Sequence, residues 1–245
     1  MKIIDGHIHI GKWSSVFLDY GTNVSDAVSV MKESGIDSAV ALPCDTFMNA
    51  ELLGEIKSQS DFTFHFAAWI NPEDPKLDSF IENNLNDIKV FKFHPSFQRM
   101  RITDEPYSKY LDIAEERNIP VIVHCGRWQD IASYTFPMEV AKKRKKLNVI
   151  LAHLGGDQPS LCTGCATAVK ESGLKNVYLG TESVREFHFV NEVVKTAGAD
   201  RVIFGSDYNL GLPKMYIPII ESLKISKEEK ELIFFRNISR LLSIE

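Results

Sequence analysis

Asp5-Gly6-His7-Ile8-His9 closes the first apolar run of the chain and is the first place where residue type and spacing could do chemistry. In a strand, alternate side chains share a face, which puts Asp5, His7 and His9 on one side and Ile4, Ile8 and Ile10 on the other. Two imidazoles on one patch can chelate a transition metal, because neutral imidazole nitrogen is a good zinc ligand. A His-x-His pair is also an ordinary polar strand face, so the reading needs partners from elsewhere. The chain supplies them. Lys92 and His94 end the run IKVFKFH, His124 ends PVIVHC, His153 ends NVILAHL and Asp207 ends RVIFGSD. Five of the seven histidines therefore stand at the ends of short apolar runs, where scattered placement would put most of them in helices and loops. Imidazoles and a carboxylate converging from several strands match the donor set that zinc prefers.

The elements that must position these residues alternate regularly. Strands are expected over 3–10, 37–43, 62–70, 88–94, 120–125, 148–154, 176–181 and 201–207, each a short, mostly apolar run. Helical spacing falls between them, over about 24–34, 47–58, 77–85, 106–117, 137–147, 159–172 and 186–196, with two closing helical segments over 213–223 and 227–242. Eight strand-helix units in 245 residues call for a parallel sheet and give the size of a single-domain (β/α)8 TIM barrel. The rival is an open doubly wound sheet. No Gly-x-Gly-x-x-Gly follows any strand, so nucleotide binding in such a sheet has no support. In a barrel the strand C-termini form the catalytic face, where the histidines and Asp207 collect.

Composition narrows the function classes. With 44% hydrophobic residues and a net charge of −5, the chain can bury a large core and offers no bulk attraction to nucleic acid or anionic membrane. A small-molecule substrate is the default, and a homo-oligomer such as a dimer stays open. The first residues lack a signal-peptide pattern and no run reaches membrane-spanning length, so a cytoplasmic protein is expected. Cys44, Cys125, Cys162 and Cys165 are too scattered for a disulfide framework, and Cys162-x-x-Cys165 lacks the second pair that a structural zinc needs. The basic run Lys142–Lys146 lies in the last turns of a helix and reads as a solvated face.

The ordered set DGHIH, KFHP, VHCG, AHLGG and FGSDY resembles the amidohydrolase superfamily, in particular the metal-dependent branch that includes aminocarboxymuconate-semialdehyde decarboxylase. The resemblance spans essentially the whole chain. It implies that His7, His9, His124, His153 and Asp207 form the metal site, with Asp207 also accepting a proton from metal-activated water. The chemistry of the residues is compatible with that: a divalent ion held by neutral nitrogens lowers the pKa of water and polarises a carbonyl. Whether His153 holds the ion or hydrogen-bonds water and substrate stays open. One zinc ion is expected, with manganese or another divalent ion as alternatives; a second would follow if Lys92 carried CO2 as a carbamate, as the strand-four lysine does in two-metal members of the superfamily. The other role for Lys92 is a buried cation that holds a substrate carboxylate or oxyanion.

Asp5, one layer deeper than His7 on the expected face, is assigned to supporting an imidazole from behind. His94 either touches substrate or caps its loop. Trp13, Arg127, Trp128, Arg99 and Arg101 follow ligand-bearing strands and are substrate-binding candidates that could stack on and ion-pair with an aromatic or unsaturated acid, the arginines otherwise facing water; Tyr208 and Glu182 are weaker ones. His65 reads as a satisfied core residue, and His188 has no readable partner. The expected activity is hydrolysis of an amide, lactone or ester in a small anionic compound. The alternatives are non-oxidative decarboxylation in the same site, and a metal-binding sensor without turnover. A nuclease is disfavoured by Lys92, where a glutamate would be expected.

Overall fold

The apolar runs form one curled sheet in the computed structural model, which describes residues 1–14 and 17–244. Its strands are β1 (Ile4–Lys12), β2 (Gly21–Thr22), β3 (Ser38–Pro43), β4 (Thr63–Trp69), β5 (Val90–Phe93), β6 (Val121–Val123), β7 (Val149–Leu151), β8 (Val177–Gly180) and β9 (Val202–Ile203). They lie in the order β2-β1-β3-β4-β5-β6-β7-β8-β9. The pairings from β1 through β3 to β9 are parallel, and β2 adds to the far end of β1 as an antiparallel ribbon. The eight expected strands are thus β1 and β3 to β9. The pair Gly21-Thr22 carries no apolar pattern by which β2 could have been foreseen.

Side chains alternate between two apolar layers. Ile4, Val40, Leu42, Ala67, Val90, Ile122, Ile150, Tyr178 and Ile203 pack together on the concave face, with Ile238, Leu241 and Leu242 of the helix Asn237–Leu242 closing that layer. Ile8, Ile10, Ala41, Phe66, Phe91, Val121, Val149 and Leu179 face the surrounding helices. The two ends of the curl are tied by main-chain bonds. Gly6 N–H donates to the Phe204 carbonyl at 2.8 Å, Asp207 N–H donates to that of His7 at 3.0 Å, and His9 N–H donates to that of Tyr208.

Strand β1 does not keep the simple alternation expected of it. Its register against β3 shifts between Asp5 and Ile8, and that bulge puts Ile4 on the concave face while Ile8 and Ile10 face the helices. Asp5 therefore does not share one continuous face with His7 and His9. Gly6 makes the crossing feasible: a Cβ there would stand 2.9 Å from the Phe204 carbonyl oxygen.

Strands β7 and β9 also end earlier than expected, at Leu151 and Ile203. His153 (φ 58°) and Leu154 (φ 53°) adopt left-handed backbone just after β7, and Asp207 (φ 58°) does so after β9. The candidate ligands His153 and Asp207 thus sit on tight turns beyond the ladder. Short helices Pro95–Gln98 and Gln129–Ala132 fill the loops after β5 and β6, and the expected helix over 227–242 is interrupted by a π-helical turn at Leu232–Arg236. Among the described residues no helix is long and apolar enough to cross a membrane. In the basic run, Lys143 pairs with Glu139 at 2.7 Å and Arg144 with Asp112 at 2.6 Å, just where the helix Thr135–Lys143 ends.

Candidate metal centre and its cleft

Strand β1 delivers His7 and His9 to the mouth of the curl with their ring orientations fixed. His7 Nδ1 lies 3.0 Å from Glu182 Oε1, and His9 Nδ1 lies 2.9 Å from the Pro43 carbonyl oxygen. Both partners accept, so each ring carries its proton on Nδ1 and turns a bare Nε2 lone pair inward. The two Nε2 atoms stand 3.1 Å apart, and each is 3.7 Å from Asp207 Oδ1. Three electron-rich atoms with no proton among them face one point. Their ligand atoms all fall within 4.8 Å of one another. Donors around a tetrahedral ion with bonds of about 2.05 Å stand roughly 3.3 Å apart, so His7, His9 and Asp207 fit a divalent cation in donor chemistry and in spacing.

The charge states agree. Burial, reinforced by Lys92, holds His7 well below the ordinary imidazole range, and burial brings His9 down to about 4. Both are neutral near pH 7, as a metal ligand must be. Burial alone would raise the Asp207 carboxyl, but the imidazoles of His7, His153 and His9 and the Ser183 hydroxyl, which donates to Oδ2, outweigh it and hold the group below the usual carboxylate range. Lys92 is 1% exposed; burial lowers its ammonium to about 8 against the pull of Glu182 and Asp207. Its Nζ lies 3.5 Å from His7 Nε2.

His124 and His153 form a second pair beside the first. His153 Nδ1 donates to the Glu182 carbonyl at 3.1 Å, which leaves His153 Nε2 to accept from His124 Nδ1 at 3.0 Å. The His153 ring is 6.1 Å from that of His7. His94 caps its loop, one of the two roles expected of it, and also lines the cleft. Its Nδ1 accepts the Phe97 N–H as the cap of the helix Pro95–Gln98, and its ring lines the cleft, stacked between His124 at 3.8 Å and Trp69 at 5.3 Å.

Asp5 differs from expectation. Its Oδ1 accepts the backbone N–H of Ser206 at 3.0 Å and of His7 at 3.2 Å, so its support reaches the main chain of His7 and not a ring. Burial pushes its carboxyl up to about 7. The carboxylate behind the His7 ring is Glu182, expected only as a weak substrate contact. Gly180 and Gly205 make room for it, since a Cβ would stand 2.2 Å from Glu182 Oε2 at the first and 3.0 Å at the second. An acid directly after a buried strand end was the available signal. Ser183 and Trp69 gave none.

The cleft above these residues has a volume of about 840 Å³ and is walled by Trp13, Phe17, Phe97 and Trp128. Trp13 is pinned by its Nε1–H, which donates to Asn209 Oδ1 at 2.7 Å. Arg99 reaches the cleft with its guanidinium 4.0 Å over the Trp128 ring. Arg127 lines it too, but is tied to Asp157 at 2.7 Å. Arg101 is not among the lining residues: its guanidinium lies over Phe136 and donates to the Asp130 carbonyl at 2.7 Å. His188 is exposed and outside the lining, His65 bonds Ser38 Oγ at 3.2 Å, and Cys162 and Cys165 are buried thiols in the helix Pro159–Ser172.

Residues 4–244 match the family described as Amidohydrolase. No curated protein sequence matches the chain. Among solved structures, an amidohydrolase from Burkholderia multivorans with bound zinc superposes with a TM-score of 0.78 at 12% identity over 100% of both chains. 5-Carboxyvanillate decarboxylase from Sphingomonas paucimobilis gives 0.75 at 12% identity, over 100% of this chain and 99% of that one. 2,6-Dihydroxybenzoate decarboxylase from Rhizobium gives 0.72 at 11% identity, over 99% and 98%. At these identities the likeness is one of fold, and it includes enzymes of both reaction types.

Proposed function

Starting from the fact that this chain belongs to the amidohydrolase family, we propose that it is a metal-dependent hydrolase acting on an amide, lactone or ester of a small anionic compound with a flat, unsaturated or aromatic body. The observation that carries the reading is the convergence of two Nε2 lone pairs and one carboxylate oxygen on a single point. His7, His9 and Asp207 would hold the ion, zinc by preference for this donor set, with His124 and His153 as the further ligands that the family resemblance implies. When bound, the ion supplies Lewis acidity that makes water a better nucleophile and polarises a carbonyl. The curled sheet, tied end to end, is read as a complete (β/α)8 barrel, with the site at the C-terminal ends of its strands.

The chain's own groups divide the remaining work. Asp207 Oδ1, ionised and 3.7 Å from both imidazole nitrogens, accepts the proton of the attacking water. Lys92 Nζ, in the floor, stabilises negative charge that develops on the substrate oxygen. His94 has Nδ1 engaged by Phe97 N–H, so its neutral ring carries the proton on Nε2 and offers a donor to the cleft. Arg99 has no acidic partner among the described ion pairs and is placed to meet a substrate carboxylate beside the Trp128 ring. The aromatic walls exclude water and favour a planar substrate. Those same flat walls favour the second reading, decarboxylation of an aromatic acid, with Asp207 managing protonation at carbon.

The test is a panel of carboxylated aryl esters, lactones and amides, with CO2 release followed in parallel. Hydrolysis should be abolished by chelation and restored by zinc or manganese. Asp207→Asn, whose side chain tolerates the same left-handed backbone, should lower kcat/KM by roughly 10²–10⁴-fold. Full activity in Asp207→Asn, or no ion in protein purified without chelator, would sink the reading; CO2 release without hydrolysis would select the second one.

A further inference from the structure

We infer that Glu182 is a positioning residue that sets the tautomers of the histidines on both sides of the site, through its carboxylate on His7 and its main-chain carbonyl on His153; this rests on the metal-centre reading above. Glu182 is 1% exposed and stands at the turn after β8. Its Oε1 accepts a hydrogen bond from His7 Nδ1–H at 3.0 Å, and its carbonyl oxygen accepts one from His153 Nδ1–H at 3.1 Å. His153 Nε2, left bare, then accepts from His124 Nδ1 at 3.0 Å, so one residue fixes three rings in series. The seat is shaped for this side chain: at Gly180 a Cβ would stand 2.2 Å from Oε2, and at Gly205 3.0 Å from it.

The chemistry explains why a carboxylate stands there. Burial pushes the Glu182 carboxyl up, against the pull of His153 and Lys92; in its ionised form it has no proton to give, so an imidazole facing it must present N–H. His7 is thereby committed to Nδ1–H with its Nε2 lone pair turned to the ion site. An amide of the same shape could accept from Nδ1–H or donate to bare Nδ1, and the second arrangement puts a proton on Nε2, where the ligand lone pair is needed. Carboxylates behind ligand histidines also raise the basicity of the ring. The main-chain carbonyl, by contrast, survives any side-chain exchange.

That asymmetry gives the experiment. Metal-free protein labelled with 15N-histidine, its ring signals assigned through single histidine substitutions, should show His7, His153 and His124 all as Nδ1–H tautomers. In Glu182→Gln, His7 should shift to a mixture of tautomers while His153 and His124 keep theirs. Zinc affinity of the same variant, measured by competition with a chromophoric chelator, should weaken about 10–100-fold with its unfolding transition preserved. Unchanged His7 shifts together with unchanged zinc affinity would overturn the inference, since a space-filling role is met equally by glutamine. Should the variant not fold, the wild-type spectrum decides alone: an Nε2–H tautomer at His7 would refute it. Failure of the wild type to bind zinc would strike the functional reading, whereas the tautomers of the metal-free protein test Glu182 independently.

Discussion

Replacing Lys92 with methionine should make the metal-free protein more stable while removing its activity. Lys92 is 1% exposed, and burial lowers its ammonium from 10.5 to about 8 even with Glu182 and Asp207 pulling the other way. At pH 7 the amine is charged in both folded and unfolded chains, and holding that charge inside costs about 3 kcal/mol. Methionine is of similar length and carries no charge to desolvate. Allowing for the lost contact with His7 Nε2, the gain should be about 2–3 kcal/mol, or a rise in Tm of roughly 4–12 °C for a chain of this size.

The gain has a defined pH course. The folded form loses its proton near pH 8 and the unfolded form near 10.5, so between these values the unfolded chain binds more protons and wild-type stability climbs with pH. The advantage of Lys92→Met should be full below pH 8 and fade toward pH 10.5. Urea unfolding of chelator-treated protein at pH 7 and pH 10 measures both effects, with equal m-values as the check that the unfolded state is unchanged. A variant no more stable than wild type at pH 7, or an advantage that grows with pH, would refute the claim that a buried cation is held at a cost to stability.

Two further expectations concern positions away from the cleft. Burial, with Lys89 and Lys2 adding to it, brings His65 down to about 4, so the unfolded chain takes up a proton below pH 6.5 that the folded one refuses. Stability is therefore lost as pH falls from about 6.5 toward 4, and His65→Gln should reduce that loss by about 1–2 kcal/mol once solvent screening of this half-buried ring is allowed for; identical acid limbs in the two urea series would contradict it. Asn237 is fully buried, and its Nδ2 donates to the carbonyls of Ala199 and Val202, both at 2.8 Å. Asn237→Ala strands both and should cost about 2–4 kcal/mol in thermal or urea unfolding, whereas a loss under 1 kcal/mol would mean that the carbonyls find other partners.

The strand and helix alternation was legible because each parallel strand is buried on both faces and so reads as an unbroken apolar run. The residues at the strand ends were legible for the same reason, since a histidine stands out against Val and Ile. What escaped was governed by main-chain geometry. The bulge between Asp5 and Ile8 leaves no mark on a pattern that already looks alternating, so the face of Asp5 was misjudged. The left-handed turns at His153 and Asp207 occur at residues that do not advertise them, and strands were drawn too long there. Glu182 was undervalued because its importance comes from a ring 175 positions away. Arg101 follows the right strand, but its neighbours Asp130 and Phe136 draw it aside.

The main-chain bonds that join the first strand to the segment after the last one also bear on how the chain folds. Asp5 and Ser206, bonded to each other, are 201 positions apart, and closing a loop of that length costs about 5 kcal/mol of chain entropy. Contacts of such long range form late, after the local strand-helix units have collapsed. His7 and His9 are therefore neighbours from the start, whereas Asp207 joins them only when the seam shuts. A cation gripped by all three would act as a clasp, favouring the closed seam over a frayed one in proportion to its binding. Hydrogen exchange at the amides of Gly6, His9 and Asp207 should accordingly slow more on addition of zinc than exchange in the middle strands.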